Sequence, residues 1–160
     1  MVKPSLAQTF AFFRLSLATG LIQPAKVIAW ADREILGMED APPHELIELS
    51  LSGSQPLSQI VGRLYDWQSY PGDPVPLEML LARAGILLDN GAPCADLARE
   101  LCLLLAENKL PGDLKRELKQ LEAGREKYNR EELSDPELGE LLAAFLVPYQ
   151  AARAWLPVLE

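Results

Sequence analysis

Apolar residues recur along this chain at spacings of three and four positions, which is the period of a helix with one buried face. The first stripe consists of Leu6, Phe10, Phe13 and Leu17, and Gly20 follows it. Prolines precede most stripes and a glycine or asparagine often follows, as is usual at helix ends. Helix starts are therefore predicted at Pro4, Pro24, Pro43, Pro56, Pro76, Pro93 and Ser134.

Two parts of the chain depart from this one-sided pattern. Residues 77–105 carry apolar side chains around most of the helix circumference, which predicts central helices packed on several sides. Residues 113–132 are mostly charged, so they predict an outer helix, with an interruption at Gly124. Ser134 and Glu137 form a capping-box pattern at the start of the last helix, which Pro148 is expected to break.

The pattern at residues 46–51 leaves two alternatives open. Ile47, Leu49 and Leu51 alternate with polar residues, so the spacing is compatible with a strand as well as a helix. Two prolines just before the segment favour a short helix. No convincing strand pair exists elsewhere, so the predicted fold class is all-α. We expect an irregular bundle of about seven to eight helices in a single domain over residues 1–160, with stacked helix hairpins as a variant.

The composition indicates a folded domain and restricts its partners. Of the 160 residues, 49% are hydrophobic and 24% are charged, close to the average of globular proteins. The formal net charge is −8, and acidic residues exceed basic ones from one end of the chain to the other. Nucleic acids and anionic membranes attract clustered Lys and Arg, so we expect neither as a partner.

The two cysteines point to a compartment. Cys94 and Cys102 lie eight residues apart in one predicted helix, about 12 Å along its axis, too far apart for a disulfide. Free thiols are typical of a reducing environment, so we expect a cytoplasmic protein of a bacterial kind. No apolar run approaches the ~18 residues of a membrane span, and Arg14 interrupts the N-terminal apolar stretch, so no targeting segment is predicted.

Acidic residues are dense between positions 32 and 48, where Arg33 and the nearby Lys26 are the only Lys or Arg that offset them. The candidate binding residues there are Asp32, Glu34, Glu39, Asp40, Glu45 and Glu48. Such a surface suits a basic protein partner, because opposite charge speeds encounter and disfavours wrong partners. A solvated face without a binding role is the alternative.

Two aromatic residues, Trp67 and Tyr70, complete the candidate binding site. They come just before the turn-rich residues 71–74, so both are expected at the edge of a loop. Large aromatic side chains in that position can anchor a partner. They can also hold the loop onto the core, and the sequence does not decide between the two roles.

The single histidine, His44, supplies an alternative chemistry. On a helix it shares a face with Glu48, and Asp40 or Glu45 would provide a third ligand for a metal ion. This pattern favours a protein that binds a metal or small ligand, or a hydrolase. The exposed first turn of a helix accounts for the same acidic residues without any ligand.

No phosphate-binding loop, nucleophile elbow or cysteine and histidine metal spacing occurs in the sequence. We therefore predict no catalytic residue, no resident metal and no cofactor. The favoured function is a non-catalytic protein-interaction module with an immunity-like or adaptor role. A homodimer through the leucine-rich C-terminal helix is a further assembly that the pattern allows.

Overall fold

The computed structural model describes residues 3–159, and in that range the fold is all-α with no strand. This confirms the predicted fold class and helix number. The helices are α1 (Leu6–Ala18), α2 (Pro24–Leu36), α3 (His44–Ser50), α4 (Leu57–Trp67), α5 (Pro74–Asp89), α6 (Cys94–Ala106), α7 (Gly112–Asn129) and α8 (Asp135–Leu146), and a 3₁₀ helix covers Val147–Trp155. None of these helices has the length and apolar character needed to cross a bilayer.

Six of the eight α-helices described begin with one of two kinds of N-cap. The helices α1 and α8 begin with capping boxes, and in the second the Glu137 amide donates to Ser134 Oγ at 3.4 Å. The helices α3, α4, α6 and α7 instead follow an N-cap proline that provides no side-chain cap. The start predicted at Pro76 is two residues late, since α5 begins at Pro74. Both prolines fit the first turn, where amide donors have no partner within the helix.

The ambiguous segment at residues 46–51 is helical up to Ser50, as α3. Leu46 and Leu49 are buried, whereas Ile47 and Leu51 are exposed. The alternation therefore comes from apolar side chains on the outer face of a helix. The short-helix interpretation is confirmed.

One proline and one glycine test the predicted interruptions. The break expected at Pro148 is confirmed, because α8 ends at Leu146 and the backbone tightens into the 3₁₀ helix. The interruption expected at Gly124 is wrong, because α7 continues through it. Gly124 is buried, and a Cβ there would lie 2.7 Å from Leu141 Cδ1 on α8. This glycine allows close packing of two helices rather than ending one.

The chain divides into two compact units. The first runs to Leu77 and takes in the chain again from Trp155, and the second is Glu78–Ala154. The prediction of a single domain over residues 1–160 stays a prediction.

In the first unit α1 supplies much of the core. Phe10, Phe12 and Phe13 are buried almost completely. The Phe13 ring meets Trp30 of α2 edge-on at 4.9 Å between centroids, and Phe10 lies 5.6 Å from Trp67 of α4. The helix α1 packs on α4, and α2 packs on α3.

In the second unit α6, α7 and α8 pack on one another. Three leucines of these helices are fully buried, namely Leu101 and Leu105 of α6 and Leu138 of α8. Gly85 of α5 leaves room for a guanidinium, because a Cβ there would lie 2.8 Å from Arg153 Nη2, which pairs with Asp89 at 2.9 Å.

Candidate functional site

The helices α2 and α3 form a hairpin whose solvent side carries most of the predicted binding residues. Its helices are tied together where the Ser50 hydroxyl donates to an Asp32 carboxylate oxygen. We call its exposed residues between 32 and 51 the α2–α3 surface. Its members used below are Asp32, Leu36, Glu39, Asp40, His44, Ile47, Glu48 and Leu51.

The outer face of α3 follows directly from helix geometry. His44, Ile47, Glu48 and Leu51 are spaced at i, i+3, i+4 and i+7, so they share one face, and all four are exposed. Leu51 is 74% exposed, and Leu36 at the end of α2 is 85% exposed. The α2–α3 surface therefore presents apolar side chains as well as carboxylates.

Few cations offset the carboxylates of this hairpin. The Glu45 carboxylate lies 3.3 Å from His44 Nδ1, and Glu48 lies 4.0 Å from Arg63 of α4. Among the described residues Asp32, Glu39 and Asp40 make no ion pair, and Glu34 is half-buried. Arg33 donates to the Val158 carbonyl at 2.6 Å. The hairpin thus keeps an uncompensated negative charge in solvent.

The structure places His44 on an open turn. Its side chain is 73% exposed and contacts Glu45, its neighbour in sequence. It does share a face with Glu48, as the spacing predicts. Across the part of the chain that the structure describes, no group of three His, Cys, Asp or Glu side chains is arranged to hold a metal ion.

The two aromatic candidates have different environments. Trp67 is half-buried against Phe10, so it packs α4 onto α1. Tyr70, in the loop after α4, is 69% exposed. Of the two, Tyr70 therefore offers a partner the larger exposed surface.

A cavity beside α2, missed by sequence reasoning, lies next to the predicted acidic residues. Its volume is about 340 Å³, and Asp32 is its one carboxylate. Its other lining residues are Pro24, Ala25, Ile28, Ala29, Gly53, Gln55, Leu57 and Ile60. The side-chain oxygen of Gln55 is buried and accepts no hydrogen bond within residues 3–159. We call this the α2 cavity.

The cysteines lie in the second unit, both on α6, and both are free. Burial raises the pKa of the Cys102 thiol above its ordinary value, and the nearby Arg125 opposes this only in part. Cys94, the first residue of α6, donates through Sγ to the Asp135 carbonyl at 3.4 Å. Cys102 is a buried core side chain. Its thiol is a poor nucleophile at neutral pH because the raised pKa keeps it protonated.

Comparison with protein families, with curated proteins and with solved structures finds no match for this chain. A function can therefore be proposed only from the geometry and the charge of the site.

Proposed function

We propose that this protein is a non-catalytic interaction module that binds a basic protein partner through the α2–α3 surface. The observation that carries the proposal is the combination of solvent-exposed carboxylates that make no ion pair within the described part of the chain, such as Glu39 and Asp40, with exposed Leu36 and Leu51 on the same hairpin. Apolar side chains surrounded by polar ones are typical of protein interfaces.

The two kinds of side chain would have separate roles in binding. The carboxylates attract a cationic partner over the Debye length, about 10 Å at 0.1 M salt, and raise the rate of encounter. Leu36, Ile47 and Leu51 add apolar area that is removed from water once the partner has docked. A role as an immunity-like inhibitor of a basic protein, or as an adaptor, follows from this division.

The alternative based on His44 has no supporting geometry, because the imidazole is exposed on a turn and, among the residues that the structure describes, has a single carboxylate within ion-pair distance. A cytoplasmic location belongs to the proposal and is supported by the two free cysteines. Pairing of two copies through α8 stays a separate prediction, which light scattering would test.

The proposal is tested with a labelled amphipathic peptide that alternates leucine and lysine at helical spacing. The surface triple variant carries Glu39→Lys, Asp40→Lys and Glu48→Lys, all at exposed positions. The matched control carries Glu107→Lys, Glu126→Lys and Glu140→Lys, which are equally exposed but belong to the second unit. Both variants change the net charge by the same amount, so they differ only in where the change is made.

Fluorescence anisotropy should show that the surface triple binds the peptide at least ~10-fold more weakly than the unmodified protein, whereas the control stays within ~3-fold. Raising the salt from about 50 to about 200 mM should weaken binding to the unmodified protein. Equal losses in the two triple variants would show that the peptide responds to net charge, and would contradict a localised surface.

A further inference from the structure

We infer that the α2 cavity receives a lysine side chain of the basic partner; this inference rests on the proposed function and names its anchor. The cavity lies on the same hairpin as the α2–α3 surface and includes Asp32, which belongs to both. Its lining combines one carboxylate and one amide with apolar walls, which is the composition that a long side chain with a cationic head requires.

The apolar walls match the stem of such a side chain. Ile28, Leu57 and Ile60 line the cavity, and Leu57 is 45% exposed although it is apolar. A lysine stem of four methylene groups packs on apolar surface while its ammonium stays at a polar end. The volume of about 340 Å³ is ample for one such side chain.

The polar groups of the cavity select a donor. Asp32 makes no ion pair among the described residues, and the Gln55 side-chain oxygen is buried without a donor. The Gln55 oxygen is covered by protein, so Asp32 is the acceptor that a ligand can reach, and a ligand that complements it must donate and should carry positive charge. An ammonium group offers three donors and no acceptor, whereas a carboxylate or phosphate would be repelled by Asp32.

Lysine fits this acceptor better than arginine does. The Ser50 hydroxyl already donates to Asp32 Oδ1, which leaves Oδ2 as the oxygen without a partner among residues 3–159. A guanidinium gains most from a carboxylate whose two oxygens are both available to its planar fork. The compact ammonium needs only one carboxylate oxygen.

The test is a titration of the isotope-labelled protein with N-acetyl-lysine methylamide, followed by NMR of the backbone amides. Saturable shifts are expected at Ile28, Gly53 and Gln55, which line the cavity. Asp32→Asn should weaken binding at least ~5-fold, because the amide keeps the shape and loses the charge. The control Asp66→Asn, on the exposed side of α4 and outside the cavity, should stay within ~2-fold.

One further variant and two analogues of the lysine probe make the result decisive. Ala29→Phe fills the cavity without a change of charge and should abolish the saturable shifts. The norleucine analogue, which has the stem without the ammonium, should bind more weakly than lysine, and so should the arginine analogue. Equal shifts from norleucine, tighter binding of arginine, or equal effects of the two Asp→Asn variants would each overturn the inference.

The outcome also separates this inference from the proposed function. Loss of peptide binding in the surface triple with no effect of Asp32→Asn on the lysine probe would leave the function standing and reject the anchor. Saturable, Asp32-dependent lysine binding, together with peptide binding that the surface triple leaves unchanged, would support the lysine site and reject the proposed function.

Discussion

The α2–α3 hairpin and helix α7 use charge in different ways. Residues 24–50 hold six carboxylates and two Lys or Arg, whereas Gly112–Asn129 holds four carboxylates and five Lys or Arg. Arg116 of α7 pairs locally with Asp113 at 3.6 Å, and just after the helix Arg130 pairs with Glu132 at 3.3 Å. A high density of charge is therefore not what marks a binding surface in this protein.

The α2–α3 hairpin and the hairpin of α7 and α8 also differ in how far their apolar side chains are covered. Gly124 brings Leu141 close to α7, so packing covers part of that leucine, which is 41% exposed. Leu36 and Leu51 have no such cover and are 85% and 74% exposed. An excess of carboxylates together with exposed leucines distinguishes the α2–α3 hairpin from α7, and three predictions test these differences.

The largest effect is expected from the leucines that both hairpins bury. Leu46 of α3 and Leu138 of α8 have no exposed area, so Leu46→Ala and Leu138→Ala should each lower the free energy of unfolding by about 2–5 kcal/mol. Leu36→Ala, at an exposed site, should change it by less than about 0.5 kcal/mol. Urea denaturation measures all three. A cost for Leu36→Ala equal to that for Leu46→Ala would show that Leu36 is covered in solution.

A smaller effect is expected from the caps. Ser134 Oγ accepts from the Glu137 amide at the start of α8, whereas α3 starts after Pro43 without a side-chain cap. Ser134→Ala should therefore cost about 1 kcal/mol of unfolding free energy. The control Ser58→Ala, in the first turn of α4 and exposed, should be close to neutral. A loss of the same size at Ser58 would contradict the capping role.

The smallest effect is a pH dependence at the α7–α8 hairpin. The Tyr128 hydroxyl donates to Asp135 Oδ1 at 2.6 Å, and this hydrogen bond, followed by the charge of Asp135, raises the pKa of the phenol above 10. Because the folded pKa is raised, the stabilisation is complete below the unfolded pKa, about 10, and is lost as the pH rises through the folded value. Ultraviolet titration should show a lower pKa in Asp135→Ala, with Tyr128→Phe identifying the signal. An unchanged titration would reject the contact.

Much of the fold could be predicted because its signals are local. Prolines, glycines and the Ser134 capping box act within one helical turn of the residues that carry them, and so the helices appear where these residues indicate. The prediction at Gly124 is wrong because the glycine is explained by a tertiary contact, namely the space that it leaves for Leu141. Arg14 is similar, since it interrupts an apolar stretch to donate to Gln68 at 2.7 Å, just beyond the end of α4.

The candidate site was predictable in its charge but not in its shape. The carboxylates of residues 32–48 could be identified by counting, because charge is a property of the sequence. Exposure of Leu51 and the cavity around Gln55 depend on how α3 and the following loop pack, and no spacing of residues encodes that. Trp67 and Tyr70 show the same limit, because they are close in sequence and only Trp67 packs against Phe10.

Binding at the α2–α3 surface can be observed directly by mapping, with NMR on the unmodified protein, where the leucine and lysine peptide binds. Perturbed backbone amides should concentrate in residues 24–57, which include the α2–α3 surface and most of the α2 cavity. Amides of α7 should change little, since that helix nearly balances its charges, with four carboxylates and five Lys or Arg. Perturbations of equal size in the α2–α3 hairpin and in α7 would contradict a binding site localised to the α2–α3 surface.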